Sequence, residues 1–171
     1  MTSIIKVDQI QNSSGTDAVS QSDLAMVADQ WRLTGSVTAD ATLPSWDRVD
    51  DPSFGYKVGM TVSSGIFTFP MTGLYQVQYF FKSNSISNDN VIVGLDVTIN
   101  NSSYDRTAEA NSSAYNTKDQ NAFGSALVNV TDTSQVKCKL TSSSISSGST
   151  IVGTTGKTIT GITFIRLCGS V

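Results

Sequence analysis

The chain has 171 residues, a net charge of −3 and no histidine, and only 15% of its residues are charged. Lysine and arginine are scattered singly, whereas nucleic-acid binding needs several cations on one face, so the composition argues against a nucleic-acid partner. The missing histidine removes the commonest general base and the commonest metal ligand. A chain of this length can bury a sizeable core, and we expect one domain with a short appendage.

The first thirty residues are interpreted as an anchoring or trimerising segment (1–30), followed by the domain (31–171). Two interpretations of its end remain open. Four apolar residues follow the spacing of a helix face, with Ser22 as the N-cap: Leu24, Val27, Ala28 and Trp31. The alternative is an irregular lead-in to a strand that begins at Trp31.

No apolar run near the N-terminus has the length of a signal peptide, and none reaches the length of a membrane span. The sequence therefore predicts synthesis in a cytoplasm without secretion, and no membrane insertion.

The densest apolar block, residues 65–81, is predicted to hold two strands. Phe67 and Phe69 share one face of a short strand that stops at Pro70, which has no N–H for a ladder. A turn through Gly73 leads to the second strand. There, two sets of residues alternate and point to opposite faces: Tyr75, Val77, Tyr79 and Phe81 against Leu74, Gln76, Gln78 and Phe80.

Further strands are predicted downstream at 91–99, 104–109, 123–130, 136–140 and 159–168. In the first of these, alternate residues face a core: Val91, Val93, Leu95, Val97 and Ile99. Asn100 and Asn101 fit a hairpin turn. Loops are expected at 35–59, 83–90, 110–121 and 142–158. Eight to ten short strands at near-regular spacing are typical of an all-β antiparallel sandwich or jelly roll.

Few residues suggest a metal site, a disulfide or a catalytic site. Asp47, Asp50 and Asp51 form a small acidic group, which we interpret as solvated loop acids rather than a cation site, because the spacing of a calcium loop is missing. Cys138 and Cys168 are interpreted as two buried thiols rather than a disulfide. We expect no cofactor and no enzymatic activity, since no histidine is present to activate a serine.

Three blocks, in order, resemble the C1q/tumour-necrosis-factor-like jelly-roll family. The first is GIFTFPMTGLY at 65–75, similar to the family's G-x-F-x-x-P-x-x-G-x-Y block. The others are 124–136, which is similar to the strand–turn–strand before the last strand, and 158–165, which resembles the closing strand. The resemblance covers about residues 31–168. It implies a ten-stranded jelly roll and a tight homotrimer, with these trimer-interface candidates: Leu74, Gln76, Gln78, Phe80, Ile162 and Phe164.

The opening segment MTSIIKVDQIQNSSGT looks like the N-terminus of small fibre-like virion proteins of marine tailed bacteriophages. This resemblance implies a structural and adhesive protein of the virion, whose partners are itself, other virion proteins and a host-surface glycan. We name five loop residues as candidates for glycan contact: Tyr104, Asn111, Tyr115, Asn116 and Gln120. The alternatives are a virion decoration protein without a receptor and a non-viral C1q-like carbohydrate-binding module.

Overall fold

The computed structural model describes residues 9–10, 19–20, 25–49, 59–85, 89–113, 118–146 and 148–171. These residues form thirteen strands and no helix, so no membrane-spanning helix is found among them. The strands are β1 (Gln9–Ile10), β2 (Val19–Ser20), β3 (Ala28–Leu33), β4 (Trp46–Arg48), β5 (Thr61–Ser63), β6 (Ile66–Thr68), β7 (Gly73–Ser85), β8 (Ile92–Thr98), β9 (Asp105–Asn111), β10 (Lys118–Val130), β11 (Lys137–Ser143), β12 (Thr150–Ile151) and β13 (Gly161–Cys168).

The strands after β2 form two antiparallel sheets. The larger sheet has the order β10-β7-β13-β3-β4, with β12 also paired to β7, and the smaller sheet has the order β5-β6-β11-β8-β9. Strands β1 and β2 pair only with each other among the described residues. The all-β, two-sheet arrangement is the predicted fold class. The described residues form thirteen strands rather than ten, and several of them have only two or three residues.

The core lies between the two sheets and follows the predicted alternation. Tyr75, Val77, Tyr79 and Phe81 of β7 are fully buried, while the residues between them are half-buried on the opposite face. Aromatic rings join the sheets: the Phe67 ring of the smaller sheet lies 5.1 Å, centroid to centroid, from a phenylalanine ring of β13. Burying such side chains is the main stabilising contribution to a sandwich.

The turn before β7 carries the chain from the smaller sheet to the larger one. Tyr75 donates its hydroxyl hydrogen to the carbonyl oxygen of Met71 at 2.9 Å. A Cβ at Gly73 would lie 2.4 Å from Nε of Arg166, so the close approach of that arginine requires glycine. Arg166 is buried and also donates to the carbonyl oxygens of Thr72 and Ala25.

One buried charge lies on β3. The carboxylate of Asp29 accepts two hydrogen bonds from Arg48, at 3.0 and 3.1 Å, and a third from the backbone N–H of Met60. Burial raises the pKa of Asp29, and the arginine acts in the opposite direction. The pair ties β3 to β4 and to the start of β5.

Of the two interpretations left open for the end of the N-terminal segment, the helix is wrong for the residues that the structure describes. A strand is present, as in the alternative, but it begins at Ala28 rather than at Trp31. Ala28 and Trp31 both lie in β3, which pairs with β13 on one side and β4 on the other. Alternate residues from Val27 to Leu33 are buried, which is the period of a strand. Tertiary pairing has overridden a short helical pattern, and Ser22 and Leu24 lie outside the described residues.

Four predicted loops contain strand residues. Strand β4 lies within 35–59, β7 continues to Ser85, β10 begins at Lys118, and β12 lies within 142–158. In each case a partner strand supplies the ladder for a polar sequence. Ile99, predicted to face the core, is 77% exposed because β8 ends one residue before it. The hairpin turn is confirmed, with Asn101 at a φ of 55°.

Candidate functional site

The candidate interaction surface is the face of the larger sheet that points away from the core. We call it the outer face. Its side chains come from alternate positions of β10, β7, β13 and β3, and the strand register arranges them in rows across the sheet. The rows are Phe123–Phe80–Gly161–Arg32, Ser125–Gln78–Thr163–Gln30, Leu127–Gln76–Ile165–Ala28 and Asn129–Leu74–Cys168.

Two apolar side chains stand out from this face. Phe123 is 60% exposed and Leu127 is 62% exposed, on a strand of thirteen residues at the edge of the sheet. Phe80, Leu74 and Ile165 lie beside them and are half-buried. These apolar side chains, with the polar row that lies between Phe123 and Leu127, form a patch of the kind that is typical of a protein–protein contact.

Charges surround the patch and are paired within the chain. At one end Lys82 Nζ lies 2.6 Å from an oxygen of Asp119, and at one side Arg32 lies 3.0 Å from Asp47. Among the described residues of these rows only Arg32 is charged, and it lies at the β3 end of the first row. An uncharged, partly apolar centre with a polar rim is the usual composition of an interface core and its border.

The predicted interface residues fall into two groups. Leu74, Gln76, Gln78 and Phe80 lie on the outer face, where a second chain could reach them. Ile162 and Phe164 point into the core and are fully buried in the single chain, so they are not accessible to another chain. Because side chains alternate along a strand, their neighbours Thr163 and Ile165 occupy the outer face instead.

Phe123 and Leu127 were not predicted as surface residues, although the sequence carries a signal for them. From residue 122 to residue 130 the inward positions of β10 hold small or β-branched residues, whereas the outward positions include a phenylalanine and a leucine. Large apolar residues on the face opposite Val128 and Val130, which are buried, indicate a second apolar surface.

The structure describes three of the five loop candidates for glycan contact, and it does not bring all three together. Tyr115 and Asn116 lie outside the described residues. Tyr104 directly precedes the first residue of β9 and Asn111 is its last, so the two lie roughly 20 Å apart at about 3.3 Å per residue. Gln120 lies within β10, opposite Ser83, near the Asn111 end of the sandwich.

The smaller sheet carries a charged surface that is satisfied within the chain. Arg106 donates to Asp96 at 3.0 Å, to Glu109 at 2.9 Å and to the hydroxyl of Thr141 at 2.7 Å. Lys139 Nζ lies 4.3 Å from the ring centroid of Tyr104, which covers one face of the ring. Neither arrangement presents an unpaired group to a ligand.

The remaining candidates for chemistry are the acidic group at residues 47–51 and the two cysteines. Asp47 forms the exposed pair with Arg32, while Asp50 and Asp51 lie outside the described residues. The described part of the chain contains no cluster of three carboxylate or thiol side chains that could hold a metal ion. Both thiols are free, as expected, but only Cys138 is buried, and Cys168 is exposed. Burial raises the pKa of the Cys138 thiol, which makes it unreactive.

The comparisons with known proteins concern the fold. No family model matches the sequence, and no curated protein matches it. Among solved structures, the Eiger TNF from S. frugiperda superimposes with a TM-score of 0.67 at 15% identity, over 85% of this chain and 95% of that one. Murine APRIL, in a crystal structure at pH 5.0, superimposes with a TM-score of 0.63 at 8% identity, over 84% of this chain and all of that one. At such low identity the likeness concerns architecture alone, and it shows that this chain has a jelly-roll fold of the TNF/C1q-like type.

Proposed function

We propose that the chain is a homotrimeric structural and adhesive protein, in which three copies pack through their outer faces and display their loops outward. The exposure of Phe123 and Leu127 carries this proposal. Neither side chain contributes to the core of the single chain, and covering both would remove apolar area from water. The likeness to TNF-type folds supports it, because the family resemblance in the sequence implies a trimer.

The chemistry of the outer face favours a copy of the same chain as its partner. A strongly charged face would repel its own copy, but the charges here lie at the margin and are already paired. The glutamines supply both donors and acceptors, so copies of this face that meet around a threefold axis can hydrogen-bond to one another. The four strands of the outer face, β10, β7, β13 and β3, have 13, 13, 8 and 6 residues. At about 3.3 Å per residue and about 4.8 Å between strands they cover roughly 600 Å², comparable to the ~800 Å² per partner of a stable interface.

The virion role rests on the resemblance of the opening segment to fibre-like proteins of marine tailed bacteriophages. In that setting residues 1–30 anchor the trimer to the particle, other virion proteins receive them, and the loops contact a host-surface glycan. Three linked copies raise the effective concentration of each weak contact, so no single loop has to bind tightly.

The first test is the solution mass of the purified chain, measured by light scattering after size exclusion. The proposal expects a mass near three times 18.2 kDa. Phe123→Ser is expected to yield a folded monomer, whereas the control Ile99→Ser, which changes an exposed residue of the smaller sheet, keeps the trimer. A monomeric wild-type chain at micromolar concentration would overturn the assembly.

A second test addresses the adhesive role. Immunogold labelling of phage particles is expected to mark the tail, where host contact is made. A head-only label would instead identify a decoration protein and refute the adhesive part of the proposal.

A further inference from the structure

A row of polar side chains crosses the outer face. Ser125, Gln78, Thr163 and Gln30 lie opposite one another on four neighbouring strands, β10, β7, β13 and β3. The row on one side contains Phe123 and Phe80. The row on the other side is apolar except for one glutamine: Leu127, Gln76, Ile165 and Ala28.

The hydrogen-bonding capacity of this polar row is largely unused in the single chain. Gln30 donates to the hydroxyl of Thr163 over 3.5 Å, a long and weak contact. Within the described residues, the amide of Gln78 bonds to no other side chain. Water satisfies these groups while the face is exposed. Once a partner covers the face, each group needs a new hydrogen bond, because a buried unsatisfied polar group destabilises the complex.

We propose that this polar row sets the register and the number of copies in the assembly, an inference that rests on the proposed self-association. Glutamine, serine and threonine can each donate and accept, so rows from identical copies satisfy one another when they meet at the same height. Alternate residues on a strand are about 6.6 Å apart. A slip by one row in one direction places Gln78 against Phe80, whose ring offers its amide no hydrogen bond. A slip in the other direction places Gln78 against Gln76 but leaves Ser125 and Thr163 against Leu127 and Ile165.

The row thus acts by excluding wrong arrangements rather than by adding affinity. A single buried asparagine has this effect in coiled coils, where it fixes the register and the oligomeric state at a cost in stability. On this sheet the apolar rows supply attraction that tolerates sliding, and the polar row makes one alignment preferable to the others.

The test replaces the row with apolar side chains of similar size, in the double variant Gln78→Met and Thr163→Val. We expect association at least as tight as in the wild type, with slower subunit exchange, but with several masses in native mass spectrometry instead of one. The control variant Gln135→Met makes the same chemical change in an exposed turn outside this face, and it should keep the wild-type mass and exchange rate. Circular dichroism confirms that each variant is folded.

Two results would overturn the inference. One is a double variant with a single mass equal to that of the wild type. The other is a double variant that dissociates into folded monomers, because the row would then supply affinity rather than selectivity. Both leave the proposed trimer standing. A wild-type chain that is itself monomeric refutes the proposed function, and the inference falls with it.

Discussion

Replacement of Tyr79 by phenylalanine should make the chain less stable at neutral pH and more stable at high pH. The hydroxyl of Tyr79 is fully buried and donates to the carbonyl oxygen of Val93 at 3.0 Å, so it links β7 of the larger sheet to β8 of the smaller one. Loss of this hydrogen bond in Tyr79→Phe should lower the free energy of unfolding by about 1 kcal/mol at pH 8.

The pH dependence follows from the ionisation of the phenol. Burial raises the pKa of Tyr79 from 10.0 to about 12. The folded chain therefore holds this proton more tightly than the unfolded chain, so the contribution is complete below pH 10 and is lost as the pH rises towards 12. At pH 11.5 the wild type should have lost about 2 kcal/mol from this group. Tyr79→Phe has no such loss, and the variant should then be the more stable protein by about 1 kcal/mol.

Urea denaturation of both proteins, followed by tryptophan fluorescence at pH 8 and at rising alkaline pH, measures this difference. Other titrating groups are common to both proteins and cancel in the comparison. A difference that stays constant from pH 8 to 11.5 would refute the reasoning, because the phenol would then ionise in the folded chain as it does in water.

Three further predictions concern single positions. Gly124→Ala would place a Cβ 2.3 Å from the buried tyrosine ring of β7 and should reduce the free energy of unfolding by about 1–3 kcal/mol, whereas Gly156→Ala, with nothing within 4 Å, should be close to neutral in the same urea titration. Asp29→Asn breaks a buried ion pair and should lower the free energy of unfolding by about 3–5 kcal/mol. Asp47→Asn breaks an exposed pair and should change the free energy of unfolding by less than about 1 kcal/mol. Equal effects would contradict the assigned burial. Cys138 should resist thiol reagents until the chain unfolds, and labelling of the native protein at the rate of a free thiol would contradict its burial.

The architecture could be predicted from the sequence because a strand that is buried on one face has apolar residues at every second position. Tyr75 to Phe81 and Val91 to Val97 showed this signal clearly, and both stretches lie in the core. It failed for β4 and β12, which are only two or three residues long and therefore too short to show a period. These strands exist because an adjacent strand supplies hydrogen bonds, and a single sequence does not show which strand will be adjacent.

The candidate site was predictable only in part. Alternation identified two faces of β7 but could not say which strands extend each face sideways. Phe123 belongs to the outer face because β10 pairs with β7 in a register that places Phe123 opposite Phe80. Phe164 does not belong to the outer face, because its side chain points inward, towards Phe67. Both assignments depend on strand register, which local sequence does not specify.

The order of strands in the larger sheet also constrains when the protein can fold. Strand β13 lies between β7 and β3, which pair with it rather than with each other. A nascent chain on the ribosome has both flanking strands well before residues 161–168 emerge, and until then it has no way to complete the middle of that sheet. Folding must therefore wait for a contact between sequence-distant segments, which predicts slow folding, on the millisecond-to-second scale of such topologies. During that interval two unpaired strand edges are open to other chains.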